Sequence, residues 1–520
     1  MIRRGDQGGG IFIGGQGVNL SKSQYVRGLQ CIKSLWLKKY HDSVLIKPDM
    51  ATEQVFKTGN LVGHYACALF PGGEEIPFHG STFQDKIELT RQHIEIGMKD
   101  IYEATFEFDG ILLMVDILHR TDTGWEIYEV KSSTGVSDVY VDDASIQCYV
   151  LKGSGLNIEK VSIVHLNNQY VRGEGDQPDI QQLFIKVDIT EAVLAKQDEI
   201  PSRLKSFEPF LSDQTNEPKI DIGAHCTKPY LCDAHDYCWK QQRKIPDYSV
   251  FNIFNMGKKP LELYRQGIVE VADIPDDLLS ERQKFVVDAY RHNHHVVDRD
   301  AIRAFLDSLT YPICHFDFET FQAAIPEFKG TRPYQQIPFQ FSLHIEHEDG
   351  RLEHVEFLAD EHGDPRESLI QSMIRHIPQK GTILVYNESF EKTRIKELAR
   401  DFPKYAASLI GFYDAIIDLA LPFSQKHYYD PAFKGRYSIK VVMPAMVPDM
   451  AMAYKNLELV HNGGDAMNIF PQLKDMPREQ RDRYRCALLK YCELDTLSMV
   501  KVLEKLRTSV KDDNQGDSNE

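Results

Sequence analysis

Two strand-like segments that carry acids on an otherwise apolar background constrain this chain more than anything else in it. In TYPICHFDFETF the side chains alternate with period two, so Asp317 and Glu319 share one face while Phe316 and Phe318 point the other way, into a core. In ILLMVDILHR and IYEVKSS, Asp116 closes an apolar run, and Glu129 and Lys131 lie at i, i+2 on one side of the next strand. A strand of this kind must bury its aromatic or aliphatic face, so its acids need a partner. A chain of 520 residues is too long for one ordinary core and suits two large domains plus connectors.

The order of elements supports two domains. Residues 21–245 read as helices, a β-meander, a helix and a further strand. Residues 246–305 read as a small helical connector, in which GKKPLELYRQGIVEVADIP has the cadence of half a helix–hairpin–helix, with Gly257 and Gly267 at its turns. Residues 306–508 read as three strands followed by alternating helix and strand. SKSQYVRGLQCIKSLWLKKY is expected as one helix with a serine N-cap. Residues 1–20 are expected to be a flexible leader and 509–520 a disordered acidic tail. The fold class expected is mixed α/β (α+β).

Composition, 42% hydrophobic and 26% charged, is that of a globular chain with material for real cores, and no apolar run approaches a membrane span. The first residues carry no apolar signal-peptide segment, so reduced thiols and a cytoplasmic location are expected. A net charge of −17 argues against a passive nucleic-acid coat, and any nucleic-acid groove must be a local basic strip. Lys434, Arg436 and Lys440, interleaved with Phe433 and Tyr437, are the candidate strip. An ordinary loop is the alternative.

Asp116 and Glu129 could hold Mg²⁺ or Mn²⁺, with Lys131 orienting a water and stabilising developing charge. A solvated Glu/Lys face is the plain alternative. The apolar setting of both strands favours a site, and here the segment resembles the RecB-like branch of the PD-(D/E)XK nucleases. That resemblance implies a site role for Gln147 in the following helix. GNLVGH departs from the family's histidine motif: Gly63 stands at the expected spacing from Gly59, and His64 one residue later. His64 is therefore expected on a helix surface.

Cys226, Cys232 and Cys238 are spaced C-x5-C-x5-C, and the distant Cys31 completes four thiols. Four thiolates suit a [4Fe–4S] cluster or tetrahedral zinc, with His225 and His235 as substitute ligands for zinc. The split arrangement, one cysteine before the core and three after it, resembles iron–sulfur nucleases such as the AddB-type exonucleases. It implies a cluster that staples the two ends of the domain. The usual closing pattern there is C-x2-C-x5-C. Cys67, Cys148, Cys314, Cys486 and Cys492 are expected as packing residues.

In the last domain, Asp317 and Glu319 are joined by Tyr491 and Asp495, at i, i+4 on a helix, and by Glu391 in NESFE. Acids converging from a strand and two helices could bind two cations for an in-line displacement, with Tyr491 orienting the water. D-x-E and Y-x3-D resemble the motifs of the tyrosine-bearing DEDD (DEDDy) exonucleases, of RNase H-like (DnaQ-like) fold. Glu391 stands where that family has aspartate, and Asp414 and Asp418 are the alternative ligands. The whole chain, from about Leu20 to Arg507, resembles an uncharacterised bacterial family that joins the two nuclease types and is known by a domain of unknown function. The resemblance implies a metal-dependent nuclease with two centres, acting on DNA with RNA left open, in repair or defence against mobile elements. The competing expectation is a nucleic-acid-binding or adaptor protein with one or both centres degenerate.

Overall fold

The computed structural model describes residues 19–511. The leader expected over 1–20 and the tail expected over 509–520 fall almost wholly outside the described residues. The chain is mixed α+β and divides into two compact units: residues 1–244 with 323–335, and residues 245–322 with 336–520.

The first unit is built on a seven-stranded sheet. Its strands are β1 (Leu20–Ser21), β2 (Glu74–Glu75), β3 (Asp100–Phe108), β4 (Ile111–Arg120), β5 (Trp125–Lys131), β6 (Ile158–Leu166) and β7 (Phe184–Asp188). Strands β2 to β7 lie side by side in sequence order, and β1 adds to β4. The β3–β4 hairpin turns through Asp109 and Gly110, both at positive φ (50° and 72°), the backbone that a two-residue hairpin of this hand demands and that Asp-Gly supplies. The helices are α1 (Lys22–Gln30), α2 (Ile32–Tyr40), α3 (Met50–Cys67), α4 (Phe83–Glu95), α5 (Asp138–Gly153), α6 (Ile180–Leu183), α7 (Thr190–Leu194) and α8 (Ile200–Leu211). Helix α5 connects β5 to its parallel neighbour β6, and Ala144, Ile146, Val150 and Leu151 pack it on Val115, Ile127 and Ile163 of the sheet. The single helix expected over residues 21–40 is two helices. Cys31 is extended (φ −164°, ψ 115°) between them, and a capping box of Ser21 with Gln24 starts the first.

The second unit has two sheets. A two-stranded ribbon pairs β8 (Val296–Val297) with β14 (Tyr428–Tyr429). The main sheet holds β9 (Ile313–Phe321), β10 (Ile337–Glu346), β11 (Leu352–Leu358), β12 (Thr382–Val385) and β13 (Ile416–Asp418) in the order β11-β10-β9-β12-β13. The first three form an antiparallel meander; β12 runs parallel to β9, and β13 to β12. Helices α9 (Lys259–Arg265), α10 (Glu281–His292), α11 (Arg299–Asp307), α12 (Arg366–His376), α13 (Glu388–Asp401), α14 (Ala406–Asp414), α15 (Leu421–Ser424), α16 (Ile439–Met446), α17 (Gly463–Ile469) and α18 (Arg478–Ser509) complete it. Phe316, Phe318, Phe341 and Leu343 pack on residues of α12, α13 and α14. A separate apolar cluster joins Ile313 and Leu384 to Met499, Val502 and Leu503 of α18.

Two boundaries differ from the sequence expectation. The segment 246–305 expected as a connector is built into the second unit: Val286, Ala289 and Ile302 enter the same core as α18, and Val250, Leu263 and Val271 form a smaller core. The loop of 323–335 leaves the contiguous domain expected over 306–508 and belongs to the first unit, where Ala324 and Ile325 pack with Val62 and Val164. Among the described residues, no helix is long and apolar enough to cross a membrane. Cys148, Cys314 and Cys492 are buried as expected of packing cysteines, but Cys486 is exposed on α18.

Candidate metal centres

In the first unit, β4 and β5 bring Asp116 and Glu129 into the interior, at 5% and 0% exposure. Asp116 Oδ2 accepts a 2.7 Å hydrogen bond from the Val130 amide, which fixes its carboxylate across the strand pair. Glu129 is held from three directions: by Lys131 Nζ at 2.7 Å, by Lys22 Nζ at 3.0 Å and by Gln147 Nε2 at 2.8 Å. Helix α5 thus brings Gln147 beside Glu129. Asp143 and Lys22 were not foreseen. Asp143 lies one turn before Gln147 on α5; it bonds Lys131, and Lys22 Nζ lies 3.3 Å from its Oδ1. Burial alone would lower both ammonium groups, but the carboxylates of Asp143 and Glu129 outweigh it and raise them, so both lysines are charged. Three carboxylates thus meet two cations. His64 is exposed on α3 with its ring against Tyr65, a helix-surface histidine as expected.

The four cysteines line one tight hollow, with His225 and His235 also on its wall. The α1–α2 break turns Cys31 toward the segment that carries Cys226, Cys232 and Cys238. Protein contacts hold that segment independently. Arg27 makes a bidentate pair with Asp233 (2.7 and 2.9 Å), Gln30 Nε2 donates to the carbonyls of His225 and Tyr230 (both 2.8 Å), and the buried Lys33 ammonium lies 2.8 Å from Glu217. Burial pushes the Cys31 and Cys232 thiols up, and Cys238 to about 11. His235 stacks on Trp239 at 4.7 Å.

In the second unit, β9 supplies Asp317 and Glu319, α13 supplies Glu391, and α18 supplies Tyr491 and Asp495. Ligand atoms of Asp317, Glu319 and Cys492 lie within 4.8 Å of one another. Burial first, and then the neighbouring carboxylates Asp495, Glu319 and Glu391, push Asp317 well above the usual carboxylate range; Glu319 is raised in the same way. Asp495 is raised by burial against the pull of Tyr454, Lys440 and Tyr491. Glu391 is pushed up to about 8 by burial, and its Oε2 is buried with no hydrogen-bond partner. Asp418 Oδ1 accepts from the Asn387 and Ala420 amides (both 2.8 Å), so it caps backbone while its charge raises Glu391. Asp414 is exposed at the end of α14.

Three further residues complete this cluster. Lys440 Nζ donates to Tyr491 Oη at 2.9 Å, and its charge opposes the upward shifts of Glu319 and Asp495. It is thus a member of the acid cluster rather than part of a loop strip with Lys434 and Arg436. Lys434 lies over the Tyr248 ring at 5.3 Å, and Arg436 is exposed. Tyr454 donates to Asp495 Oδ1 at 2.6 Å. Gly463, at the start of α17, passes so close that a β-carbon there would sit 3.5 Å from Glu319 Oε2. No sequence signal marks Tyr454 or Gly463, which arrive from a segment without periodicity.

The fold and its polar clusters define a two-unit, mixed α+β protein with a buried acid–lysine cluster in each unit and a four-cysteine hollow in the first. Against known proteins, residues 314–438, from β9 to the residue before α16, match a Domain of unknown function (DUF2779). An uncharacterized protein of Ureaplasma parvum serovar 3 is 24% identical over 304 residues, 53% of this chain and 43% of that protein. An uncharacterized protein of Mycoplasma genitalium is 26% identical over 219 residues, 38% of this chain and 32% of that protein. The chain thus spans less than half the length of the curated relatives it matches. No solved structure matches it.

Proposed function

We propose that the chain is a metal-dependent nuclease with two centres, a 3′–5′ exonuclease-like one in the second unit and a RecB-like one in the first. The observation that carries this reading is the gathering of Asp317, Glu319, Glu391 and Asp495 around one buried spot, where an orphaned Glu391 oxygen and raised carboxyl values mark negative charge without enough partners. These four residues would hold divalent cations, which when bound polarise a phosphate and lower the pKa of an attacking water. Lys440 holds the Tyr491 hydroxyl, and that hydroxyl is in turn available to orient a water. The meander followed by two parallel strands supports an RNase H-like reading of this unit.

In the first unit, Asp116 and Glu129 would hold a cation, Lys131 would orient water and Gln147 would fix Glu129. The four cysteines, which line one hollow, would hold a [4Fe–4S] cluster, with zinc as the alternative. That group would be structural, tying the α1–α2 break to residues 226–238. DNA, with RNA second, is the substrate, and repair or defence against mobile elements is the setting.

The test is the digestion of end-labelled single- and double-stranded DNA, and of RNA, in Mn²⁺ and in EDTA. Stepwise loss from 3′ ends in Mn²⁺ and none in EDTA is the expected result. Tight DNA binding with no cleavage in any divalent ion would replace the nuclease by a nucleic-acid-binding protein.

A further inference from the structure

Beyond both acid clusters, the second unit carries a group of metal-ligating side chains of different chemistry. We propose that His344, His354 and Glu493 form a site for a zinc-class transition ion that clips α18 to the meander. This proposal stands apart from the nuclease reading and does not depend on it.

His344 on β10 and His354 on β11 are directly paired across the antiparallel ladder, and their rings stack at 4.4 Å. Cross-strand neighbours have β-carbons only about 4.5–5.5 Å apart, close enough for two imidazoles to reach one ion. Glu493 reaches them from α18, and the ligand atoms of all three residues lie within 4.8 Å of one another. Each ring has one nitrogen tied down by a hydroxyl. His344 Nδ1 shares a 2.8 Å hydrogen bond with Thr496 Oγ1, and His354 Nε2 shares one of 3.0 Å with Ser342 Oγ. The two hydroxyls are themselves 2.7 Å apart. Such outer bonds set the orientation of ligating histidines and leave the other nitrogen for an ion. Here that leaves His344 Nε2 and His354 Nδ1, the latter 4.0 Å from Glu493 Oε1.

The burial suits binding. His344 is buried and fixed, whereas His354 is exposed and Glu493 only half-buried, so an ion can enter from solvent and the outer ligands can close on it. Two imidazoles and one carboxylate favour zinc-class ions, while the carboxylates of Asp317, Glu319, Glu391 and Asp495 suit Mg²⁺ or Mn²⁺. Glu493 lies between Tyr491 and Asp495 on the same helix, so an ion here would hold the turn that presents both.

The full chain would be equilibrated with buffered zinc in excess Mg²⁺, and bound zinc counted by elemental analysis in the parent, His354→Ala, Glu493→Gln and Asp317→Asn. The expected result is one equivalent of zinc fewer in His354→Ala and in Glu493→Gln, with Asp317→Asn unchanged. Cobalt should give visible bands that are lost in the first two variants and kept in the third. Glu493→Gln is isosteric, and far-ultraviolet spectra equal to the parent's establish that each variant is folded. Zinc content equal to the parent in both variants, with unchanged cobalt bands, overturns the proposal.

Discussion

The two acid clusters solve the same electrostatic problem in opposite ways. In the first unit, Asp116, Glu129 and Asp143 meet Lys22 and Lys131, and every charged group has a partner within the protein. In the second, Asp317, Glu319, Glu391 and Asp495 share the charges of Lys440 and Arg394 and the hydroxyls of two tyrosines, and burial with mutual repulsion raises their carboxyls above the usual range. A balanced cluster is stable without an ion and must give up an internal pair to take one. An unbalanced cluster is strained without an ion and relaxes when one binds. The first centre should therefore be the weaker cation site and the second the stronger.

The largest effect that would sharpen this contrast is cation-linked stability. Mn²⁺ at about 100 times its dissociation constant adds about 2.7 kcal/mol to the part that binds it. Calorimetry should show that gain in the parent and its loss in Asp317→Asn, while Asp116→Asn keeps it. Next is Lys22→Met, which leaves Glu129 and Asp143 with one ammonium between them. It should cost about 1–3 kcal/mol in EDTA and less in Mn²⁺, because a cation can replace the lost charge. Equal costs in both conditions would break the comparison.

Glu391→Gln should act with the opposite sign. The Glu391 carboxyl holds its proton up to about 8 in the folded chain, against an ordinary value of 4.5. The folded state thus binds a proton that the unfolded state releases, and ion-free stability falls as pH rises from 4.5 through 8. Glutamine has no proton to lose. The variant should melt higher than the parent in EDTA at pH 8, equal it near pH 4.5, and lose the Mn²⁺ gain. The smallest effect expected is that of Lys440→Met, which removes a cation that lowers Glu319 and Asp495. The acid limb of any cleavage profile should move to higher pH, with little change in melting temperature.

Much of this contrast was legible in the sequence because it sits on regular elements. Period two put Asp317 with Glu319 and Glu129 with Lys131, and helical spacing put Tyr491 with Asp495. What escaped depends on tertiary approach. Lys22 reaches Glu129 across 107 residues, and Tyr454 reaches Asp495 across 41 from a stretch with no periodicity. Asp143 had a faint signal, one helical turn from Gln147, but an acid on a helix is by itself an ordinary solvated residue. The break at Cys31 was hidden because its neighbours on both sides are sound helix formers, and only the hollow it lines gives the extended residue a purpose. The connector and the 323–335 loop were misjudged because their apolar residues are too sparse to reveal which core they join.

The account's central claim is two separate cleaving centres. It is tested most directly by the product ladder from labelled single-stranded DNA in Mn²⁺, comparing the parent with Lys131→Ala, Asp317→Ala and both together. The account predicts that Asp317→Ala abolishes stepwise 3′ loss by at least about 10²–10³-fold. Lys131→Ala should remove a different set of products, and the double variant should leave DNA intact. One ladder lost equally in either single variant, or unchanged in the double variant, would contradict it.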